Sequence, residues 1–278
     1  MSKLKQDNPL PISAFPRNLI LAGQDAKLAL SGWRIWATMA WNDIAQRYRR
    51  SVIGPFWLTL STAIFVGGLG LLYASLLHQN IKTYLPYLAT GYVFWGMISS
   101  FLVESAYCFT SSEGYLKQMR ISKIGLVLRM VLRNFIIFLH NIVVIAVVMI
   151  WFAVTPGPSF ALIIPALLIN LWFGAAIALL LGMICTRFRD INQFVTSLIS
   201  ILLFCTPIFW NASTASPALQ TVAYVNPIAA FIAIFRDPLL GLPIRAYDWE
   251  MAGGSTLVVT ALAALFFIRF RSRILYWL

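Results

Sequence analysis

Between Asn134 and Thr186 the chain carries no Asp, Glu, Lys or Arg. These 53 consecutive uncharged residues constrain the fold more than any motif does. About 20 apolar residues cross a bilayer as a helix, so one span cannot use them all. Thr155-Pro156-Gly157-Pro158 cuts the run with a turn signal. Two membrane-spanning helices follow, at about Leu126–Trp151 and Phe160–Cys185.

The same criterion finds four more spans, at about Phe56–Leu77, Leu85–Phe109, Ile191–Phe209 and Met251–Ile268. Only Glu104 is charged in the second of the six. Composition agrees: 60% of the chain is apolar and 11% charged, against about 25% charged in soluble domains. That excludes a soluble enzyme, a disordered chain and an ordinary nucleic-acid-binding domain. The 278 residues suffice for one membrane bundle. The reading is an all-α integral membrane fold, with residues 1–50 as a cytoplasmic N-terminal segment and 51–278 as a six-span domain. No apolar stretch in the first 50 residues resembles a cleaved signal peptide.

The net charge of +12 would suggest nucleic acid in a soluble protein. Here its placement matters more. Six spans leave seven flanking segments, and alternate segments hold 18 and 3 of the 21 Lys and Arg residues. The excess side is read as cytoplasmic, which puts both termini there and calls for no nucleic-acid partner. Cys108, Cys185 and Cys205 lie in apolar runs without ligand spacing, and no metal site is expected.

The N-terminal segment is patterned. Leu30, Trp33, Ala37, Trp41, Ile44 and Tyr48 share one helical face. This predicts an amphipathic helix from about Asp25 to Arg50 lying in the membrane interface, against lipid headgroups. Arg47, Arg49 and Arg50 are candidates for a lipid diphosphate, because a guanidinium fork matches phosphate oxygens. Past the fifth span, Trp210–Glu250 is long but not polar. Ala218–Phe235 is apolar and broken at Asn226-Pro227, which predicts two short outer re-entrant helices.

Several chemistries are absent from the sequence. There is no G-x-x-x-x-G-K-[ST], so the chain is not expected to bind ATP itself. His78 and His140 stand alone, and Glu104 is expected to pair with an arginine or cap a polar contact rather than carry protons. Gly174, Ala178 and Gly182 form a small-residue stripe, and Gly67-Gly68-Leu69-Gly70 a second, both read first as packing within one bundle. A bundle without an energy source is a channel or borrows energy through a docking surface. The loop after the second span is the candidate: Ser111 or Ser112 caps a short helix presenting Tyr115, Leu116 and Met119, with Glu113 and Arg120 alongside.

Three segments carry a resemblance. Arg47-Tyr-Arg-Arg-Ser-Val-Ile-Gly-Pro-Phe-Trp57, Thr186-Arg-Phe-Arg-Asp-Ile191 and Tyr224-Val-Asn-Pro-Ile228 with Phe235-Arg236 together resemble the polysaccharide-exporting ABC-2 permeases. Gly54-Pro55-Phe56-Trp57 and Ser112-Glu113-Gly114-Tyr115 look nearest to the O-antigen (Wzm-like) branch. The resemblance implies a permease homodimer with two ABC ATPase subunits. ATP and Mg would sit on those subunits and no cofactor on this chain. It implies coupling through about Ser112–Ile121, an outer segment containing Asn226, Pro227 and Arg236, and an undecaprenyl-diphosphate-linked polysaccharide as cargo. Trp57, Phe65, Phe101, Tyr107, Phe204 and Phe209 are the candidate channel aromatics, since rings stack on sugars without fixing them. Capsule, teichoic-acid or other lipid cargo, a membrane enzyme acting on lipid-linked sugar, and a passive channel stay open as alternatives.

Overall fold

A computed structural model describes residues 15–49, 53–54, 56–76, 78–119 and 121–278. Arg50 and Arg120 of the candidate sites lie outside these residues. The described part is helical, in the order α1 (Phe15–Ser31), α2 (Trp33–Tyr48), α3 (Phe56–Leu76), α4 (Ile81–Ser105), α5 (Glu113–Gln118), α6 (Lys123–Trp151), α7 (Ile163–Arg187), α8 (Ile191–Cys205), α9 (Pro217–Val225), α10 (Pro227–Leu240), α11 (Ala246–Phe270) and α12 (Ile274–Trp277). Five helices are long and apolar enough to cross a membrane: α3, α4, α6, α7 with its leading 3-10 turn, and α11 with its short C-terminal extension. The apolar α8 has 15 residues, and α9 and α10 meet at 90°.

Helices follow the charge-free stretches, with shifts at their ends, and the one at the fifth stretch, α8, is shorter than a full span. The second starts at Ile81, because Asn80 caps it by accepting the Lys82 amide at 2.9 Å, and it stops at Ser105 rather than Phe109. The fifth stops at Cys205, because Pro207 has no N–H to continue the helix. The third opens at Lys123 on a Ser122 cap that accepts the Gly125 amide at 3.0 Å.

α4 is the central post, packed against α3, α6, α7, α8 and α10. The small-residue stripe of α7 faces it. A Cβ on Gly174 would sit 2.6 Å from the Phe101 ring, and one on Gly182 would sit 3.1 Å from the Phe109 ring. The stripe therefore admits bulky rings, Phe101 of α4 and Phe109 just after it, inside a single chain. In the α3 run only Gly70 is such a contact, against Leu85 and Leu88; Gly67 and Gly68 face open space. α3 buries Val66, Gly70 and Ala74 against the bundle, with Leu69 and Tyr73 half-buried beside them, and much of its remaining surface is exposed.

The single amphipathic helix expected from Asp25 to Arg50 is two helices. α1 begins at Phe15, and the chain breaks at Gly32, where the amide bonds back to Leu28 O at 2.9 Å. A Cβ on Gly32 would stand 2.9 Å from that same carbonyl. The expected apolar face is not the packed one: Leu30, Trp33 and Trp41 are exposed and only Ile44 is buried. The packed side carries Asp25 and Asp43, whose partners set the rotation of the pair. Asp25 is buried, accepting from Ser122 Oγ at 2.8 Å, the Ile124 amide at 3.0 Å and Arg271 Nη2 at 3.1 Å. It ties α1 to the start of α6 and the end of α11.

Candidate functional site

Three uncovered features of the bundle bear on function: a polar face inside the spans, an ion network at one end, and a stitched break at the other.

The polar face begins on α8, whose circumference divides into three sectors. Val195 and Ile199 pack inward. Phe194, Leu198 and Ile201 are exposed and apolar. Gln193, Thr196, Ser197 and Ser200 are exposed and polar, with Phe204 exposed at the far end of the same side. Thr196 and Ser200 return their hydroxyls to the carbonyls of Asn192 and Thr196, at 3.0 and 3.2 Å. Gln193 and Ser197 have no partner among the described residues. The neighbouring α4 has a partly open strip at helical spacing, Tyr92, Gly96, Ser99 and Val103, continued by Tyr107 in the turn after it. Ser99 and Ser100 bond to Gly96 O at 3.2 and 2.7 Å, and nothing lies within 4 Å of a Cβ built on Gly96. Phe65 of α3 stacks on Tyr92 with ring centroids 4.4 Å apart.

These positions sort the candidate aromatics. Trp57, Phe65, Tyr107 and Phe204 are exposed on the chain. Phe101 is 0% exposed and cannot line a pathway. It lies against Gly174, where α4 and α7 need a flat ring to approach closely. Phe209 is buried as well. It fixes the far end of the site, stacked on Tyr73 of α3 at 5.8 Å and tilted against Phe204 of α8 at 6.0 Å.

The ion network sits where α2, α4 and α6 meet. Arg129 holds Asp43 through Nε at 2.8 Å and Nη2 at 2.5 Å. Arg133 reaches Asp43 at 3.0 Å and Glu104 at 2.6 Å, and Asn134 also donates to Glu104, at 2.7 Å. The expected arginine partner of Glu104 is thus Arg133. Removing ions from water costs several kcal/mol each, and this chain of contacts offsets that only while every member is present. A cavity of about 180 Å³ adjoins the network, lined by Glu104, Tyr107, Ser112, Arg129 and Arg133 among others.

α5 follows directly on Ser111 and Ser112 of the cavity wall. Tyr115 is exposed, with the Arg129 guanidinium 5.3 Å from its ring centre, and Met119 is exposed. Leu116 is 7% exposed: the short helix presents Tyr115 and Met119, and it is anchored by Leu116 rather than displaying it. Neither serine caps it by its side chain. Ser112 occupies the cap position without that bond, and Ser111 Oγ bonds Cys108 O at 3.5 Å. Glu113 pairs with Lys117 one turn on, which holds its carboxyl below the usual carboxylate range. Arg47 and Arg49 are exposed with no ion pair to a described residue.

At the opposite end the break after α8 is stitched by side chains. Arg236 is buried, donating to Pro207 O at 2.7 Å and lying 4.0 Å from the centre of the Tyr87 ring. Tyr87 OH donates to Pro207 O and Trp210 O at 3.2 and 3.3 Å, and Tyr84 OH to Phe209 O at 2.8 Å. Asn226 caps α10 through the Ile228 amide at 3.0 Å and donates to Thr206 Oγ1 at 2.9 Å. Pro227 takes the first helical position, where its missing N–H costs nothing. Irregular backbone at membrane depth must be satisfied by protein, and these bonds do so.

Comparison with known proteins agrees with this architecture. The profile of the ABC-2 type transporter family matches residues 35–240, from the packed part of α2 to the end of α10. The chain belongs to the ABC-2 type transporter family. As an ABC-2 membrane subunit it is a transporter component and not an enzyme, and the family implies an ABC ATPase partner. The permease is similar to an O-antigen export system permease protein, RfbA, of Klebsiella pneumoniae. They are 24% identical over 196 residues, covering 70% of this chain and 76% of the relative. It is similar also to the RfbA of Myxococcus xanthus, 23% identical over 70% of this chain and 75% of the relative.

Sequence reasoning missed Asp25, Asp43, Tyr84 and Tyr87, whose partners are distant in the chain. It also missed the α8 sector, although polar residues recurring every three or four positions in an apolar span are a readable signal.

Proposed function

We propose that this ABC-2 permease is the membrane half of an ATP-driven exporter that moves undecaprenyl-diphosphate-linked O-antigen polysaccharide from the cytoplasmic to the outer leaflet of a bacterial inner membrane. The observation that carries the conduit is the uncovered polar sector of α8. Hydroxyl and amide groups inside a span belong against water or protein, not lipid. A second copy of the chain, facing the first across α3, α4 and α8, would enclose that sector in a wet passage. Sugar hydroxyls exchange hydrogen bonds with Gln193, Ser197 and Ser200, and sugar faces slide on Phe65, Tyr107 and Phe204. The relatives' names support the cargo.

Two ABC ATPase subunits supply the energy and hold ATP and Mg. They press on Tyr115 and Met119 of α5. Arg129, beneath Tyr115, passes that displacement through Asp43, Arg133 and Glu104 to the inner end of α4. The α1–α2 pair lies in the membrane interface with Trp33 and Trp41 toward lipid. Arg47 and Arg49, with Arg50, meet the diphosphate at the cytoplasmic mouth. Both termini are cytoplasmic, and the bent α9–α10 pair re-enters from the outer side.

Cysteine accessibility tests the conduit. In a background lacking Cys108, Cys185 and Cys205, single cysteines at Ser197 and Ser200 are expected to react with a membrane-impermeant maleimide, while cysteines at Leu198 and Ile201 stay unlabelled. The reverse pattern, or equal labelling, refutes the reading. Loss of surface O-antigen on deletion of the protein, with the lipid-linked glycan accumulating inside, tests the cargo.

A further inference from the structure

At the end of the bundle away from α5, a cavity of about 230 Å³ opens beside the start of α4 and the end of α10. Its polar wall is Gln79, Lys82 and Asn211, and its apolar wall includes Val154, Leu240 and Leu242. No Asp or Glu lines it.

The polar wall is rich in free donors and holds an uncompensated cation. Among the described residues the Lys82 ammonium has no carboxylate within ion-pair distance. The other two cations of this end are engaged: Arg236 donates to Pro207 O, and Arg245 pairs with Asp248 at 2.8 Å. The Gln79 amide has no described hydrogen-bond partner. Asn211 is oriented by Ser213, whose amide and hydroxyl both donate to its Oδ1, at 3.0 and 2.9 Å. Its Nδ2 is left to donate elsewhere. The hydroxyls of Thr83 and Tyr84, also in the wall, are spent on Asn80 O and Phe209 O. A site of one cation and two free amide donors suits an anion with several acceptor oxygens. The apolar wall beside it suits a hydrocarbon attached to that anion.

We propose that this cavity binds the phosphate group of a lipid in the leaflet at this end of the bundle. The lipid's first methylenes lie on Val154, Leu240 and Leu242, and the phosphate oxygens accept from Lys82, Gln79 and Asn211. A free sugar fits less well, because it brings no charge to meet the Lys82 ammonium. Inorganic phosphate would leave the apolar wall bare. The site is separate from the polar sector of α8, and it rests on the chain being a membrane subunit, not on the glycan reading.

Native mass spectrometry of the full-length chain, delipidated in neutral detergent and titrated with phosphatidylglycerol, tests it. Wild type is expected to retain one more phosphatidylglycerol per chain than Lys82→Gln, with binding at that site weakened about tenfold by the substitution. Lys82→Arg should restore it. Diacylglycerol with the same tails should not be retained, and inorganic phosphate should bind far more weakly than the lipid. Lys82 is exposed and pairs with no described residue, so its replacement leaves the fold intact. Equal phosphatidylglycerol retention by Lys82→Gln overturns the proposal. Equal retention of diacylglycerol removes the phosphate from it, and equal binding of inorganic phosphate removes the lipid.

Discussion

Arg129 of α6 grips Asp43 of α2 in a forked pair, Nε to Oδ2 at 2.8 Å and Nη2 to Oδ1 at 2.5 Å. Through it the N-terminal helices are joined to the core at the level where α4 ends. Asp43 also serves Arg133, so its loss strips Arg129 of its carboxylate and leaves Arg133 with Glu104 alone. Asp43→Ala should cost about 2–3 kcal/mol, the scale of a charge-assisted hydrogen bond. A lower thermal midpoint than wild type, partly restored by Asp43→Glu, is the expected result. An unchanged midpoint would mean that the pair contributes nothing to stability.

The two faces of α5 should separate in a co-purification experiment. Tyr115→Asp combined with Met119→Asp changes only exposed side chains. The permease should express normally and lose its ATPase. Leu116→Asp places a charge in a buried site and should lower the amount of folded permease itself. Full ATPase recovery with the double variant would take the docking surface elsewhere.

Two glycines of similar sequence context should differ. Gly174→Ala drives a methyl group against the Phe101 ring, which is itself buried. Overpacking of this kind costs about 1–3 kcal/mol. Gly67→Ala meets nothing within the chain, and its higher helix propensity should leave the isolated chain as stable or about 1 kcal/mol more so. Thermal melts of both variants, with cross-linking of Gly67→Ala to report on pairing between copies, separate packing within a chain from packing between chains.

Arg236→Met keeps the volume but withdraws a donor from Pro207 O and the cation from the Tyr87 ring. A buried carbonyl that loses its strongest donor costs about 1–3 kcal/mol. Faster proteolysis between α8 and α9 than in wild type is the expected sign, because those bonds hold the break closed. Identical digestion patterns would show that Tyr84, Tyr87 and Asn226 suffice.

The spans were legible because length free of charge is a direct physical requirement of lipid, and their ends were not because caps decide them. Asn80 and Ser122 extend two helices beyond the apolar window, and Pro207 shortens a third. The rotation of α1 and α2 was misread from its apolar stripe. Asp25 and Asp43 face inward because their partners, Ser122, Arg271, Arg129 and Arg133, lie far along the chain. The aromatics were legible as a class but not one by one. Phe101 and Phe65 look alike in sequence, yet one is wedged between two central helices and the other borders an edge helix. The α8 sector needed no structure to find: Gln193, Thr196, Ser197 and Ser200 share a face by spacing alone.

The early end of α8 has a geometric consequence. Fifteen residues at 1.5 Å each make a rod of about 22 Å, while the hydrocarbon layer is about 30 Å thick. The rod is about a quarter shorter than that layer, and past its end comes folded turn, with Pro207, Phe209 and Trp210 presenting carbonyls already claimed by Arg236, Tyr87 and Tyr84. On the proposed conduit reading, the greasy barrier is thinnest at the rim of the hydroxyl-bearing face, and a polar molecule following α8 has about three-quarters of the usual depth to travel.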